Sequence, residues 1–418
     1  MNDCGCYSIT STGLMPVNAA IERLRQAGQA RTPEIERVSL VQALNRVLAV
    51  DILAPVDVPP RDNSAMDGYA VHTDSLGSIP LTLAISQRIP AGVNPEPLRP
   101  GTAARIFTGA VIPEGVNAVV MQENCCQATP DSVQIRQAFK AGENIRLIGQ
   151  DIRTGTRILQ QGERLGPAAI GMLASLGLAE APVYRRLKVA VLSTGDELVE
   201  PGSPLQHGGQ IYNSNRYLLQ ALLTRLDCES IDLGVVADNL PDTLAALDKA
   251  RKLADVVISS GGVSVGEEDH VKTAVEQLGK LDFWKIAIKP GKPLAFGRIG
   301  ETAFIGFPGN PQSVWITFLI LGRQFLLARQ GQRFRNEPAG YPVPISFSVA
   351  KPLKRVEYLR VRLVETEQGL VLEKHVNQSS GVLSSSLWAD GLACIPVDVV
   401  LNPGDSVRFM PFSGFGVA

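Results

Sequence analysis

Apolar residues recur at two different periods along this chain, and the change of period marks out its units. Near the N-terminus Ile21 and Leu24 share a helical face, Pro16 suits a first turn and Gly28 suits a stop. Leu40, Ala43, Leu44 and Val47 repeat that spacing, which predicts a second helix from Ser39. Beyond Val56 the character changes. Turn signals such as Val58-Pro59-Pro60, Pro90-Ala91-Gly92, Arg99-Pro100-Gly101 and Pro113-Glu114-Gly115 alternate with short apolar runs at 104–108 and 118–121. That stretch reads as a small β module. Helical spacing returns at Pro167, Ile170, Leu173 and Ala174, with Gly177 as a stop. Segments 1–55 and 141–185 are therefore expected to form one helical N-terminal and linker domain, with the β module inserted at 56–140.

From 186 to 330 short buried strands alternate with helices. Strands are predicted at 188–193, 230–236, 256–259, 283–288, 294–296 and 303–306, and helices at 215–226, 241–254, 271–278 and 311–328. Such alternation predicts a doubly wound parallel sheet with helices on both faces. The last stretch, 331–418, returns to β: Leu359, Val361 and Leu363 alternate with Arg360, Arg362 and Val364, and no convincing helix follows. It is expected to be a small β-barrel or sandwich. The fold class read from the pattern is multidomain α/β plus β.

Composition narrows the function. Hydrophobic residues are 45% and charged residues 19%, enough apolar surface for large cores. The 40 Lys and Arg balance 41 Asp and Glu, which argues against a dedicated nucleic-acid binder, since that would need a basic surface to displace counterions. The six cysteines, Cys4, Cys6, Cys125, Cys126, Cys228 and Cys394, contain no Cys-x-x-Cys pair, and the four histidines are scattered. This fits a reducing cytosol. Cys4 and Cys6 flank one glycine in a stretch that reads as an unstructured tail, with a metal-holding pair as the alternative. The N-terminus lacks the basic and apolar regions of a secretory signal. The greasiest run, 314–328, carries Arg323 and Gln324 and is too short to span a bilayer. The expectation is a soluble cytoplasmic protein with no nucleic-acid and no membrane partner.

In an open parallel sheet, ligands bind beyond the carboxyl ends of the strands. The loops there are therefore the candidates: Ser193-Thr194-Gly195-Asp196-Glu197-Leu198 after the first strand, 260–269 after the third, and Phe307-Pro308-Gly309-Asn310-Pro311 after the last. The middle loop joins Ser260, Gly261, Gly262, Ser264 and Gly266 to Glu267, Glu268 and Asp269. Its glycines let backbone N–H groups converge on an anion, and its carboxylates suit Mg²⁺ bridging to phosphate. Acids in a first helical turn also serve the helix dipole. Capping is expected to occupy at least one acid and metal binding another, above all Asp269. Lys289-Pro290-Gly291-Lys292-Pro293 places two lysines, phosphate-binding charges, in a stiff turn. Asn310 and Pro311 also read as an N-cap and first helical residue. The stretch 58–71 is dense in Asp, Asn and Ser, among them Asp62 and Asp67, and offers ligands to a polar substrate or metal. No Gly-x-Gly-x-x-Gly follows a strand, no Walker A sequence occurs and no Gly-x-Ser-x-Gly elbow is present. Nicotinamide dehydrogenases, P-loop enzymes and serine hydrolases are disfavoured accordingly.

Taken together, 60–70, Thr108-Gly109-Ala110, Gly149-Gln150-Asp151-Ile152, 193–198, 259–269, 289–293 and 308–311 resemble the molybdopterin molybdenumtransferases, the MoeA-type family also represented by one domain of gephyrin. The resemblance spans nearly the whole chain. It implies four-domain subunits, an α/β domain like that of the molybdopterin adenylyltransferases, and an elongated homodimer. It implies insertion of molybdate into adenylylated molybdopterin with a divalent cation, Mg²⁺, and release of AMP. Molybdopterin adenylyltransferase and recipient molybdoenzymes are the implied partners.

Carried over by matching motif, the implied catalytic residues are Asp62, Asp67, Asp151, Glu197, Asp238 and Asp269, with Asp62, Glu197 and Asp269 toward the metal. The implied substrate contacts are Thr108, Ser193, Thr194, Gly195, Asp196, Ser260, Gly261, Gly262, Ser264, Gly266, Lys289, Lys292, Pro308, Asn310 and Pro311. The family usually has Gly-Glu-Asp where this chain has Gly149-Gln150-Asp151. Two alternatives stay open from the residues alone. One is an adenylyltransferase, whose glycine loop usually reads Gly-Gly-Thr-Gly where this chain has Gly261-Gly262-Val263-Ser264. The other is a non-catalytic cofactor-binding scaffold.

Overall fold

The computed structural model describes residues 13–75, 78–262, 270–334, 340–367 and 369–417. Its centre is a six-stranded sheet in the order Glu229–Val236, Lys188–Thr194, Val256–Ser260, Thr302–Phe307, Pro293–Ile299, Gly279–Lys285. The first four strands are parallel. Both faces are buried, so each strand is apolar on alternate residues of both parities. Val189 and Val191 join one core with helices α1 (Val17–Gln29) and α3 (Ser214–Arg225). Ala190 and Leu192 join another with α4 (Leu240–Leu253) and α5 (His270–Leu278). Between α1 and α3 in sequence lies α2 (Pro167–Ser175), at the place its helical spacing predicted.

The sheet departs from the expected all-parallel form at one side. Pro293–Ile299 and Gly279–Lys285 run antiparallel to their neighbours. Ile299 pairs Thr302, leaving only Gly300 and Glu301 to turn the chain. A two-residue loop can join only antiparallel strands, and Gly300 supplies the positive φ of 57°. After Thr302–Phe307 comes the long helix, α6 (Pro311–Thr317) and α7 (Arg323–Arg329), continuous through a π-helical turn at Phe318–Gly322. A Cβ on Gly322 would stand 2.6 Å from the Phe307 ring, so the glycine lets that turn close over the strand end.

Two local readings change. Gly28 does not stop α1, which runs on to Gln29. It faces α7 instead: a Cβ there would lie 2.6 Å from Ala328 Cβ. The helix expected from Ser39 is a single turn, closed by Ala43 N–H donating to the Ser39 carbonyl at 2.9 Å. Asn45 then takes φ 65°, and Val47 and Leu48 pair with Arg164 and Val183 as extended chain. Long-range pairing outweighs the local helical period here.

The β module is a six-stranded sheet in the order Ala118–Met121, Gly68–Val71, Thr102–Ile106, Leu81–Ile89, Ser132–Ile135, Cys125–Thr129. The chain enters and leaves it along antiparallel legs. Ile52–Leu53 pairs Arg157–Leu159, Val58 bridges Ile152, and Asn63–Ser64 pairs Ile145–Arg146. The C-terminal unit is a strongly curved sheet built on Val356–Thr366 and Gly391–Ile395. It carries one helix that the sequence pattern did not show, α8 (Ser384–Trp388). Its edge strand, Ile288–Lys289, is borrowed from the α/β unit. Among the described residues no helix is long and apolar enough to cross a membrane.

Strands Ile35–Ser39 and Glu180–Tyr184 pair antiparallel, and Arg185, at the end of that pair, ties it to the central sheet. Its Nη1 and Nη2 donate to the two oxygens of Asp255 at 2.7 and 2.8 Å, and its Nε donates to Glu34. Burial alone would raise the Asp255 carboxyl, but the Arg185 fork and the Lys188 N–H outweigh it and hold it below its ordinary 3.8. Asp255→Ala should cost about 1.5–3 kcal/mol, the range for a hydrogen bond to a charged group. A depressed carboxyl stabilises fully above its unfolded value and loses that contribution as pH falls through the folded one. Urea midpoints of parent and variant should therefore differ at neutral pH and converge in acid. Equal midpoints at neutral pH would remove this fork from the stability of the fold.

Candidate functional site

The carboxyl ends of the parallel strands carry polar side chains in a buried setting. Ser193 and Ser260, on neighbouring strands, place their hydroxyl oxygens 3.0 Å apart, and both residues are buried. The Ser193 hydroxyl also donates to Asn213 Oδ1 at 3.5 Å. Asn213 is the N-cap of α3, its Oδ1 accepting from Arg216 N–H. Two residues on, Asn215 Nδ2 donates to the Gly309 carbonyl at 2.6 Å. Gly261 N–H donates to the Phe307 carbonyl at 3.2 Å. Residues 193–197, 213–215, 260–262 and 307–310 are thus tied into one edge.

Glycines make this closeness possible. Gly261 and Gly262 take φ of 88° and 63°. A Cβ on Gly261 would stand 2.5 Å from the Thr194 carbonyl oxygen, and one on Gly262 2.8 Å from the Thr194 hydroxyl. Gly195, at φ 144°, has the Glu197 carboxylate folded over it, 2.6 Å from where a Cβ would sit. Asp196 Oδ1 accepts from the Asp238 N–H at 3.3 Å. The buried Thr194 Oγ1, Ser259 Oγ, Asn213 Nδ2 and Asn215 Oδ1 have no hydrogen-bond partner among the described residues. A buried polar atom without a partner costs free energy, and these four lie at the carboxyl edge of the sheet.

The lysine turn lies against the start of the long helix. Gly291, at φ 98°, packs on Thr317 and Ser313. The two lysines are not equivalent. Lys289 Nζ is 2.8 Å from Glu357 Oε1, and Glu357 belongs to the C-terminal sheet. Lys292 is exposed, and its ammonium has no partner among the described residues. Pro308 is buried, whereas Gly309 and Asn310 are exposed. Asn310 occupies the N-cap position and Pro311 the first turn, but the Asn310 side chain makes no capping hydrogen bond.

The second set of predicted residues lies in and beside the β module. Asp67 Oδ1 accepts from the Thr108 N–H and hydroxyl, each at 2.8 Å. Those two bonds, aided by Arg105, hold the Asp67 carboxyl below its ordinary value. Asp62 Oδ1 accepts from Ile148 N–H at 2.7 Å. Asp151 is exposed, and Gln150 Oε1 accepts from Leu147 N–H at 3.0 Å. These contacts stay within the module and its legs, while the first set is tied within the α/β unit except for Lys289, which pairs with Glu357 of the C-terminal sheet. Ser264, Gly266 and Asp269 lie outside the described residues. Sequence reasoning missed Asn213, Asn215 and Glu357. The Asn213-Ser214-Asn215 run was a visible helix-start signal, at the right edge of the sheet. Glu357, in a different unit, gave none.

Comparison with known proteins agrees along the chain. Residues 15–177 match the MoeA N-terminal region (domain I and II), 190–328 the "Probable molybdopterin binding domain" family, and 342–412 the MoeA C-terminal region (domain IV). The chain is 42% identical to the molybdopterin molybdenumtransferase of Haemophilus influenzae over 384 residues, 91% of this chain and 94% of the relative. It is 37% identical to molybdopterin molybdenumtransferase 2 of Mycobacterium tuberculosis over 374 residues, 87% of this chain and 91% of the relative. The structure of a molybdopterin biosynthesis MoeA protein from Pyrococcus horikoshii OT3 superposes with a TM-score of 0.81 at 28% identity, covering 95% of this chain and 100% of that one.

The contact between Gly261 and Thr194 generates a prediction of its own. Gly261→Ala adds a Cβ at positive φ, which costs about 1–2 kcal/mol, and drives it against a backbone carbonyl that has little room to move. The variant should melt lower than the parent. An unchanged melting temperature would mean that this close approach does not constrain the edge.

Proposed function

The chain belongs to the MoeA family of molybdopterin molybdenumtransferases and acts in molybdenum cofactor biosynthesis; on that premise we propose that it inserts molybdate into adenylylated molybdopterin, releasing AMP. The observation that carries the proposal is the sheet edge, where buried polar atoms without a partner among the described residues lie in loops tied to Gly309, beside a lysine turn whose Lys292 ammonium has no partner among those residues. An adenylylated pterin presents a phosphoanhydride and a polar ring system, and this edge offers charge for the first and fixed donors and acceptors for the second. Lys292 holds the phosphates. Lys289, neutralised by Glu357, stiffens the turn and contributes less charge. Ser193, Thr194, Ser260 and Asn310 orient the ligand, with no reorganisation needed when negative charge develops.

Among the described residues no group of three Asp, Glu, His or Cys side chains converges to hold a metal. Mg²⁺ suits a phosphoanhydride site, because it keeps several waters and takes one or two carboxylates beside substrate phosphates. Glu197 and Asp269 are the proposed holders. When bound, Mg²⁺ supplies charge neutralisation at the phosphoanhydride. Asp62, Asp67 and Asp151 are tied within a separate unit, so we assign them to the site of a second copy of the chain, in a homodimer. The working place is the cytoplasm, with molybdopterin adenylyltransferase upstream and molybdoenzymes as recipients. The adenylyltransferase alternative is not favoured, because the match to molybdenumtransferases extends over all the units.

Two measurements test this reading. Lys292→Gln keeps most of the stem and removes the charge, so binding of adenylylated molybdopterin should weaken by about one to two decades, the value of a charge-assisted hydrogen bond. Lys289→Gln should lose less affinity and more stability. Parent affinity in Lys292→Gln at low salt would remove the phosphate assignment. Light scattering of the parent should give about twice 44.8 kDa; a mass of one chain at micromolar concentration would contradict the dimer.

A further inference from the structure

An asparagine at an N-cap ordinarily spends its side chain on the N–H groups of the first turn. Asn310 does not. The donor it would take is satisfied from another unit: Gln312 N–H, in the first turn of α6, donates to the Ser380 carbonyl at 3.0 Å. The Gln312 side chain is fully buried and follows the same route, its Nε2 donating to the Leu383 carbonyl at 3.2 Å and to the Ser386 hydroxyl at 2.7 Å. Ser386 Oγ in turn donates to Gln312 Oε1 at 3.2 Å.

The segment that receives Gln312 is itself pinned. Arg360, buried on the central strand of the C-terminal sheet, donates Nε to Ser385 Oγ at 3.1 Å. Its Nη2 donates to the carbonyls of Asn377 and Ser379 at 3.4 and 3.2 Å. Gln378 brackets the Arg360 backbone, accepting from its N–H at 3.0 Å and donating to its carbonyl at 2.9 Å. On the other flank, Asn215 fixes the Gly309 carbonyl. The Gly309–Asn310 corner is therefore held from both sides, with Asn310 exposed and its amide without a hydrogen-bond partner among the described residues.

We infer that Gln312 is a positioning residue for the substrate site, and that the C-terminal unit, by capping α6 in place of Asn310, presents the Asn310 amide to the bound substrate. This rests on the reading of the sheet edge as the site for adenylylated molybdopterin. The C-terminal unit then acts at a distance on binding, through a fixed backbone corner and not through any contact of its own with the ligand.

A double-mutant cycle on the full chain tests it, with dissociation constants for adenylylated molybdopterin and melting temperatures as the readouts. Asn310→Ala should raise the dissociation constant about tenfold, the value of one neutral hydrogen bond, with no fall in melting temperature because no cap is lost. Gln312→Met, close in volume, should also raise it about tenfold. The double variant should stay near tenfold, because both changes remove the same contact. A loss near a hundredfold in the double variant, or parent affinity in Gln312→Met, would overturn the inference. Should Gln312→Met fail to fold, Ser386→Ala replaces it in the cycle, with a rise of about threefold expected alone and none in the Asn310→Ala background; any further rise there would overturn the inference. Lys292→Gln separates the two levels of argument. If it weakens binding while Asn310→Ala does not, only the positioning role fails. If neither weakens binding, the assignment of the edge to this substrate fails with it.

Discussion

Two glycines bring the loop after Val256–Ser260 up against the Thr194 backbone, and the rest of the site is arranged around that contact. Any side chain there would push the third strand's loop away from the first strand's. Beside that contact Ser193 and Ser260 are register partners on the paired strands, which sets their hydroxyls 3.0 Å apart, and Thr194 is buried. The cost is borne locally, in positive φ at three glycines and in polar atoms without partners among the described residues. Both costs fall at the carboxyl edge of the sheet, where an open α/β fold takes its ligands.

The units around that edge hold it from outside. The C-terminal sheet takes Ile288–Lys289 as its own edge strand and neutralises Lys289 through Glu357. It also supplies the carbonyls that receive Gln312. Its internal anchor is a buried cation. Burial pushes the Arg360 guanidinium down to about 10, which still leaves it protonated at neutral pH. A buried charge is tolerated where acceptors surround it, and here backbone carbonyls and a serine hydroxyl do so. Arg360 thereby converts a turn-rich segment into a rigid platform.

Much of this architecture was legible in the residues. The helices predicted at 215–226 and 241–254 are present as Ser214–Arg225 and Leu240–Leu253. The runs 188–193 and 256–259 carry the continuous apolar character of strands buried on both faces, and both are strands. Ambiguity entered where one residue type serves two purposes. Gly28 looked like a stop and is a packing contact with Ala328. Asn310 looked like a cap and leaves its side chain unspent. Ser39 opened a helical pattern that pairing with 164 and 183 overruled after one turn.

By itself, then, the sequence determined the periods, the turns and the chemistry available at each strand end, because backbone preference and side-chain alternation act over a few residues. It determined that Lys289 and Lys292 stand in one stiff turn, and that Gly261 and Gly262 can take conformations closed to other residues. Tertiary structure decided which of these groups remains free to act. Lys289 is paired, and Lys292 has no partner among the described residues, because Glu357, far along the chain, lands beside one and not the other. The Asn310 side chain makes no cap, and the Gln312 N–H beside it donates to Ser380, far along the chain. Such outcomes depend on the register between distant strands, and that register is set by burying whole faces of a sheet, a constraint no short stretch of chain carries.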